Sequence, residues 1–236
     1  MLNFLGFGSA FNTDLGNTSA YIKSNTSLVL IDCGSTVFSK LHSLGLLDGV
    51  SDIYVIITHT HSDHIGSLSD LIFYSQYILN QRPTLFFPNK DLLNTILRCM
   101  GVKSEFYNII DTGKALIENE DLKLEISFFA SSHVDTIPSY GLLLKIEGRT
   151  IFYSGDSNEI NGFILKSLEE GTIDYLYHDT SGIDYDGNPH LSLEKLESYI
   201  KPELRHKVYC MHVDSHFDRE KAKSLGFNVV ECIDRL

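Results

Sequence analysis

The sequence predicts an α/β protein in which mixed β-sheets are flanked by helices. Three observations carry that expectation. Short runs rich in Val, Ile, Leu, Phe and Tyr recur at strand length along the whole chain. Between several of them, apolar residues return at helical spacing instead. The first half reads in the order β-β-β-α-β-α-β-α-β-β-β, without a domain boundary, an internal repeat or a low-complexity segment, so one domain over residues 1–236 is expected.

Residues 2–7 and 20–23 read as short strands around a Gly/Ser/Asn-rich turn at 8–18. Residues 28–31 are wholly apolar, a third strand that ends in Asp32-Cys33-Gly34. Val37, Leu41 and Leu44 then share one face of a helix over 35–47. The apolar, β-branched run 53–57 is a buried strand, and it stops abruptly in His59-Thr60-His61-Ser62-Asp63-His64. Ile65, Leu68, Leu71, Ile72 and Ile78 follow with helical spacing, predicting a helix over 65–80 capped by Ser62 or Asp63. A strand between prolines at 83–88 precedes a helix over 91–100, which carries Leu92, Leu93, Ile96 and Leu97. Strands are expected at 106–110, 115–117 and 122–129, with Phe86, Phe87, Phe106 and Tyr107 in the core.

The last of these strands runs into Ser131-Ser132-His133. Residues 140–146 and 150–153 form a hairpin around Glu147-Gly148-Arg149, and its second arm enters Ser154-Gly155-Asp156-Ser157. Residues 173–177 make a strand ending in His178-Asp179-Thr180, and His190-Leu191-Ser192 opens a helix over 193–200. A strand at 208–211 is capped by His212, with His216 four residues further on.

The histidine-rich turn is the centre of the chemistry. Imidazoles at positions i, i+2 and i+5 with a carboxylate at i+4, on a tight strand-to-helix turn, can converge on metal. His59 and His61 project together, while Asp63 and His64 turn towards a second point, which suits two adjacent cations. Composition narrows the ligand. The chain is 43% hydrophobic and 21% charged, with no apolar run near membrane-span length and no basic leader before an apolar core. Cys33, Cys99, Cys210 and Cys232 lie without a CxxC or disulfide rhythm, so a reduced, cytoplasmic protein without a membrane partner is expected. With 31 acidic against 19 basic residues the net charge is −12, a poor starting point for gripping a large nucleic acid along many phosphates. A small anion remains compatible, because metals rather than side chains can neutralise it.

His59-Thr60-His61-Ser62-Asp63-His64 after a buried strand resembles the HxHxDH signature of the metallo-β-lactamase superfamily, whose fold is an αββα sandwich. The resemblance implies further roles. Asp32 would hold the backbone and a histidine of the metal-binding turn from behind, His133 would be the third histidine, and Asp156 the carboxylate bridging both cations. His59, His61, His133 and Asp156 would bind one metal; Asp63, His64, Asp156 and His212 the other. His212 is preferred to His216 because it directly follows its strand, where the other ligands also sit. Histidine nitrogens with few carboxylates and no ligand cysteine favour two zinc ions, with manganese or iron as substitutes.

His178-Asp179-Thr180 and His190-Leu191-Ser192 resemble the HEAT and HST loops of the ribonuclease Z branch, with Asp179 in place of the usual Glu. That likeness implies His190 as the proton donor to the leaving oxygen, aligned by Asp179, with Asp63 orienting the attacking water. Ribonuclease Z enzymes also carry a long Gly/Lys-rich arm between the third histidine and the bridging aspartate. Here that interval is 23 residues (156 − 133), consumed by the hairpin. The compact form resembles phage and bacterial anti-Pycsar phosphodiesterases. It implies hydrolysis of 3′,5′-cyclic mononucleotides to linear monophosphates by a homodimer, so that antiphage cyclic-nucleotide signals are destroyed. A ribonuclease Z-like tRNA endonuclease is the alternative of the same class. A nucleotide-sequestering protein without turnover is the alternative of another class, separated by metal content and product release.

Overall fold

Strand pairing in the computed structural model, which describes residues 1–232, gives two mixed sheets. The first is built from β1 (Asn3–Gly6), β2 (Ser19–Lys23), β3 (Ser27–Ile31), β4 (Asp52–Ile56), β5 (Thr84–Phe86) and β6 (Asn108–Ile110), in that spatial order. β1, β2 and β3 are antiparallel neighbours; β3 to β6 are parallel. The second sheet repeats the plan with β7 (Lys114–Glu118), β8 (Lys123–Ala130), β9 (Tyr140–Ile146), β10 (Arg149–Tyr153), β11 (Tyr175–Asp179), β12 (Val208–Met211) and β13 (Asn228–Val229). Its strands are antiparallel as far as β10 and parallel from β10 to β13.

Alternation along the strands decides what packs on each face. In β3, Val29 and Ile31 point between the sheets, where they meet Ile126, Leu142, Leu144 and Tyr153 of the second sheet. Leu28 and Leu30 point the other way, onto α1 (Val37–Ser43), α3 (Leu68–Tyr77) and α4 (Lys90–Cys99). The second sheet does the same: Phe152, Leu176, Val208 and Cys210 pack on α5 (Gly162–Glu169), α6 (Leu193–Tyr199) and α7 (Arg219–Ser224). Because both faces of the parallel strands are covered, their sequences are apolar at nearly every position. The result is the predicted αββα sandwich.

Several expected elements differ in detail. The helix expected over 65–80 is two pieces, a single turn α2 (Ser62–Ile65) and then α3. Between them, Ser67 Oγ accepts the Phe38 N–H at 3.1 Å and donates to the Gly34 carbonyl at 2.5 Å, stitching the break to the segment after β3. Neither Ser62 nor Asp63 caps α2; His61 occupies that position and both lie inside the first turn. The strand expected at 106–110 starts at Asn108, because Ser104–Phe106 forms a 3₁₀ turn that buries the Phe106 ring in the outer core. α5, α7 and β13 have no counterpart in the sequence reading. Residues 233–236, included in the expected domain, lie outside the described residues. Among the described residues no helix is long and apolar enough to cross a membrane.

Candidate metal centre

The parallel arrangement brings the carboxyl ends of β3, β4, β11 and β12 to one edge of the sandwich, and the chemistry-bearing residues follow those ends. Beyond β4 the chain continues through Ile57 and Thr58 to His59, which is fully buried. The backbone then stays extended at His61 and winds into α2, whose first amides at His64 and Ile65 both bond the His61 carbonyl at 3.0 Å. This single turn throws Asp63 and His64 inward. Gly34 makes it possible, since a Cβ there would run into the Asp63 carbonyl. On the opposite sheet Gly155 takes a φ of +58° and presses against Thr58 and the Tyr140 carbonyl, aiming Asp156 at the same point.

Two groups of donor atoms result, sharing Asp156. In the first, His59 Nε2 lies 3.0 Å from His61 Nδ1, and His133 Nε2 lies 3.3 Å from the same atom. Asp156 Oδ2 is 3.7 Å from both His59 Nε2 and His133 Nε2. In the second, His64 Nε2 is 3.4 Å from Asp63 Oδ2 and 3.2 Å from Asp156 Oδ1. His212 Nε2 closes it at 3.3 Å from Asp63 Oδ2 and 3.5 Å from Asp156 Oδ1. A tetrahedral cation with ligand bonds of about 2.0–2.1 Å spaces its donors by about 3.4 Å. The separations in both groups bracket that value. His64 Nε2 and Asp156 Oδ1 are moreover buried without any hydrogen-bond partner, which a cation between them would relieve. The donor set therefore fits divalent metal.

Four of the five inward-facing imidazoles, those of His59, His64, His133 and His212, are held by their other nitrogen, as suits metal-binding histidines. His64 Nδ1 donates to Asp32 Oδ2 at 2.8 Å. Asp32 also accepts the Thr58 N–H at 2.8 Å and the Thr58 hydroxyl at 2.7 Å, so it fixes the backbone and a histidine of the turn together. His59 Nδ1 meets Thr58 Oγ1 at 3.1 Å, His133 Nδ1 meets the Pro189 carbonyl at 3.2 Å, and His212 Nδ1 meets Asp179 Oδ1 at 3.3 Å. Asp32 and His212 sit at φ of 64° and 54°, left-handed backbone in non-glycine residues. Such strain persists where surrounding contacts over-determine it.

The electrostatics of the bare protein point the same way. Burial together with the neighbouring imidazole of His64 holds His59 well below the usual histidine range, and burial with His133 lowers His61. Both therefore favour the neutral form, which offers a lone pair. Burial alone would also lower His64 and His212, but carboxylates outweigh it. Asp156 and Asp32 raise His64 well above its ordinary value, and Asp156 with Asp179 pushes His212 up to about 10. Burial likewise opposes ionisation of Asp63 and Asp156, yet bonds and charge from His212 and His64 hold Asp63 low and Asp156 lower than a free carboxylate. Without metal, protons on His64 and His212 occupy the place of positive charge.

Beside the donor groups stands a third constellation. His190 Nδ1 lies 2.5 Å from Asp179 Oδ2, which also accepts the Ser157 N–H at 3.1 Å. Burial opposes protonation of His190, but Asp179 prevails and raises it. Its ring is 5.2 Å from that of His133 and 5.0 Å from that of His212, at the mouth between the two donor groups. The aspartate does two things at once, holding His190 with one oxygen and His212 with the other.

Every residue singled out from the sequence as a ligand or catalytic group thus reaches this edge: His59, His61, Asp63, His64, His133, Asp156, Asp179, His190 and His212 belong to the three clusters, and Asp32 lies directly behind. His216 does not join them; it is exposed, and its backbone N–H bonds Asp214 Oδ1 at 2.7 Å. His178 turns away, its Nδ1 2.6 Å from the Asp179 carbonyl and its Nε2 3.3 Å from the Glu159 carbonyl. Sequence reasoning missed Thr58, Ser157 and Pro189. The last two act through backbone atoms, and no side-chain pattern signals them.

The family model described as "Anti-Pycsar protein Apyc1" matches residues 1–233. A curated Anti-Pycsar protein Apyc1 from Bacillus phage 010DV004 is 30% identical over 244 residues, spanning 92% of this chain and 90% of that protein. Among solved structures, the metallo-β-lactamase fold protein YhfI of Bacillus subtilis superposes with a TM-score of 0.72 at 18% identity, covering 97% of this chain and 94% of the other. The short form of human tRNase Z gives 0.64 at 17% identity, over 100% of this chain and 97% of its own. Both likenesses concern the fold.

Proposed function

Because the chain belongs to the Anti-Pycsar protein Apyc1 family, we propose that it is a dinuclear-metal phosphodiesterase that opens 3′,5′-cyclic mononucleotides to linear nucleoside monophosphates. The role would be to remove the signal on which cyclic-nucleotide antiphage defence depends. The observation that carries the reading is the meeting, at one edge, of two donor groups sharing Asp156 with the His190–Asp179 pair between them. An acyl hydrolase has no evident use for that pair, whereas an alkoxide leaving group needs a proton.

In this proposal His59, His61, His133 and Asp156 hold one cation and Asp63, His64, Asp156 and His212 the other. Zinc suits the histidine-rich donors best, with manganese as a substitute. When bound, the cations supply acidification of water and neutralisation of charge gathering on the phosphoryl oxygens. Asp63 orients the attacking water in line with the bond to be broken. His190, with Nδ1 committed to Asp179, presents Nε2–H to the departing ribose oxygen. A positioned acid of this kind contributes about 10²–10⁴-fold.

Substrate size is argued from what lies between His133 and Asp156. That interval contains the β9–β10 hairpin, turned by Glu147 and Gly148 at φ of 50° and 74°, and no arm emerges to hold tRNA. The chain is proposed to work as one hydrolase domain, as a homodimer, in the cytoplasm of a bacterial cell. The test is a parallel assay of metal-loaded protein on cyclic mononucleotides and on pre-tRNA. Linear monophosphates should form while pre-tRNA stays intact. Specific pre-tRNA cleavage with inert cyclic nucleotides would restore the tRNA endonuclease reading. Tight nucleotide binding without product would leave a sequestering protein.

A further inference from the structure

One exposed aromatic stands at the catalytic edge without any role in the fold. β1 is antiparallel to β2, and β2 to β3, so β1 runs with β3 and its carboxyl end reaches the same edge as Asp32 and His59. The loop that follows is tied down at both ends to the candidate centre. Near its start, Val213, the residue after His212, donates to the Phe7 carbonyl at 2.9 Å. The Val213 carbonyl in turn accepts the Ser9 N–H and the Asn12 side-chain amide, each at 3.0 Å. At its far end, Asn17 Oδ1 accepts the Thr36 N–H at 3.0 Å, and Asn17 packs beside Gly34 where the Asp63 carbonyl lies.

Phe11 occupies the third position of the turn closed by the Asn12 N–H to the Ser9 carbonyl at 3.0 Å. Its ring is 96% exposed, the most exposed of the large apolar side chains among the described residues. Scattered exposed apolar residues are ordinary on protein surfaces. This one is different in its mounting: a loop cross-linked by backbone bonds, running from the neighbour of His212 to the neighbour of Asp63. A backbone held that way presents the ring at a fixed place, so little loop ordering is lost when a planar partner stacks on it.

We propose that Phe11 is the platform on which the nucleobase of the substrate stacks. The inference rests on the cyclic-nucleotide reading above and extends it, because that reading assigns every group that handles the phosphate and none that handles the base. Every base has a π-face, so a single aromatic platform grips purines and pyrimidines alike. The site is then tolerant of base identity.

The chain contains no tryptophan, so Phe11→Trp supplies a sole indole, excited selectively at wavelengths where the tyrosines do not absorb, at the point in question. Metal-loaded Phe11→Trp on a His190→Ala background, where turnover is slowed, is titrated with cyclic AMP, cyclic CMP and base-free ribose 3′,5′-cyclic phosphate. Both nucleotides should quench the fluorescence and the base-free ester should not. In steady-state assays with native His190, the ratio of kcat/KM for cyclic nucleotide to that for the base-free ester should fall about five- to a hundredfold in Phe11→Ala. Phe11→Trp should keep the ratio, as should Leu116→Ala, a control on the exposed edge strand β7. An unchanged ratio in Phe11→Ala, or equal quenching by the base-free ester, would overturn the proposal. So would quenching in Tyr185→Trp but not in Phe11→Trp, which would put the base on the loop leading to His190. Fluorescence that changes with protein concentration alone, together with loss of a dimer in Phe11→Ala, would make the ring an interface residue instead. Quenching by nucleotides in a protein whose native form hydrolyses none of them would keep the platform and remove the phosphodiesterase reading, so the two failures are distinguishable.

Discussion

Asp179→Asn removes one negative charge and replaces one acceptor oxygen by a donor, and the structure gives that change two separable consequences. The carboxylate is fully buried and accepts from three sides: His190 Nδ1 at 2.5 Å and the Ser157 N–H at 3.1 Å on one oxygen, His212 Nδ1 at 3.3 Å on the other. An asparagine has only one acceptor atom, so its amide must face either His190 or His212, donor against donor. Opposite charges about 4 Å apart interact by about 4 kcal/mol at the effective dielectric of a partly screened site. That support is lost to protonated His190, and to His212 in the metal-free protein. If the amide faces His190, the acid is misaligned and kcat on a cyclic nucleotide falls by about 10²–10⁴, or about 3–5 kcal/mol. If it faces His212, affinity for the cation beside Asp63 falls by about 10–100-fold, the usual cost of losing the partner behind a ligand histidine. His190→Ala, by contrast, should lose rate alone and keep its metal. The assay pairs kcat on a cyclic nucleotide and on a nitrophenyl phosphodiester, whose leaving group needs no proton, with metal content by elemental analysis. His190→Ala should slow the first substrate far more than the second. Equal damage to both substrates, metal loss in His190→Ala, or full activity and metal in Asp179→Asn would refute the assignment.

Elemental analysis of protein purified without chelator should find close to two divalent ions per chain, and His61→Ala should lose metal and activity together; one equivalent or less after zinc reconstitution would count against two sites. Metal uptake near neutral pH should release protons, since the surrounding carboxylates hold His64 and His212 above the ordinary histidine range and a bound cation would displace their protons. Calorimetry in buffers of different ionisation enthalpy reads that release, and apparent affinity should weaken as pH falls. The sign for the metal-free fold is opposite: His212 rises from about 6.5 unfolded to about 10 folded. Its stabilisation is complete below the first value and is lost as pH climbs through the second, so the chemical-denaturation midpoint of the metal-free protein should drop over that window. Gly34→Ala should displace the Asp63 carbonyl, so metal affinity and melting temperature should both fall; a variant indistinguishable from native would show that the α2 turn has slack.

Much of this arrangement was legible in the residues because metal ligands at strand ends leave a local signature. His59 to His64 declare themselves by type and spacing after an apolar strand, and His133, Asp156 and His212 by directly following theirs. What lay hidden depends on contacts with no sequence period. Thr58 bonds Asp32 through both its amide and its hydroxyl, and Pro189 meets His133 through a carbonyl. The break after Ile65 arises because Ser67 serves the segment after β3, a tertiary demand that overrides the helical periodicity. α5 did leave a signal, since Asn161 accepts the Phe163 N–H as a helix cap before an apolar run. α7 buries Ala222 alone and left almost none.

Asp179 stands between two imidazoles, with an oxygen for each of His190 and His212. Under the phosphodiesterase proposal, alignment of His190 and retention of a cation beside Asp63 would then depend on one buried group, which orients His190 before a substrate arrives. The chain carries a net charge of −12, so its overall field does not draw in an anion. If metal is bound as proposed, the attraction for a phosphate would come from the cations beside Asp156, leaving the base to contacts outside the donor groups. On the proposed reading a cyclic mononucleotide, with a single phosphate, suits such a chain, whereas a tRNA needs charge neutralised along its length.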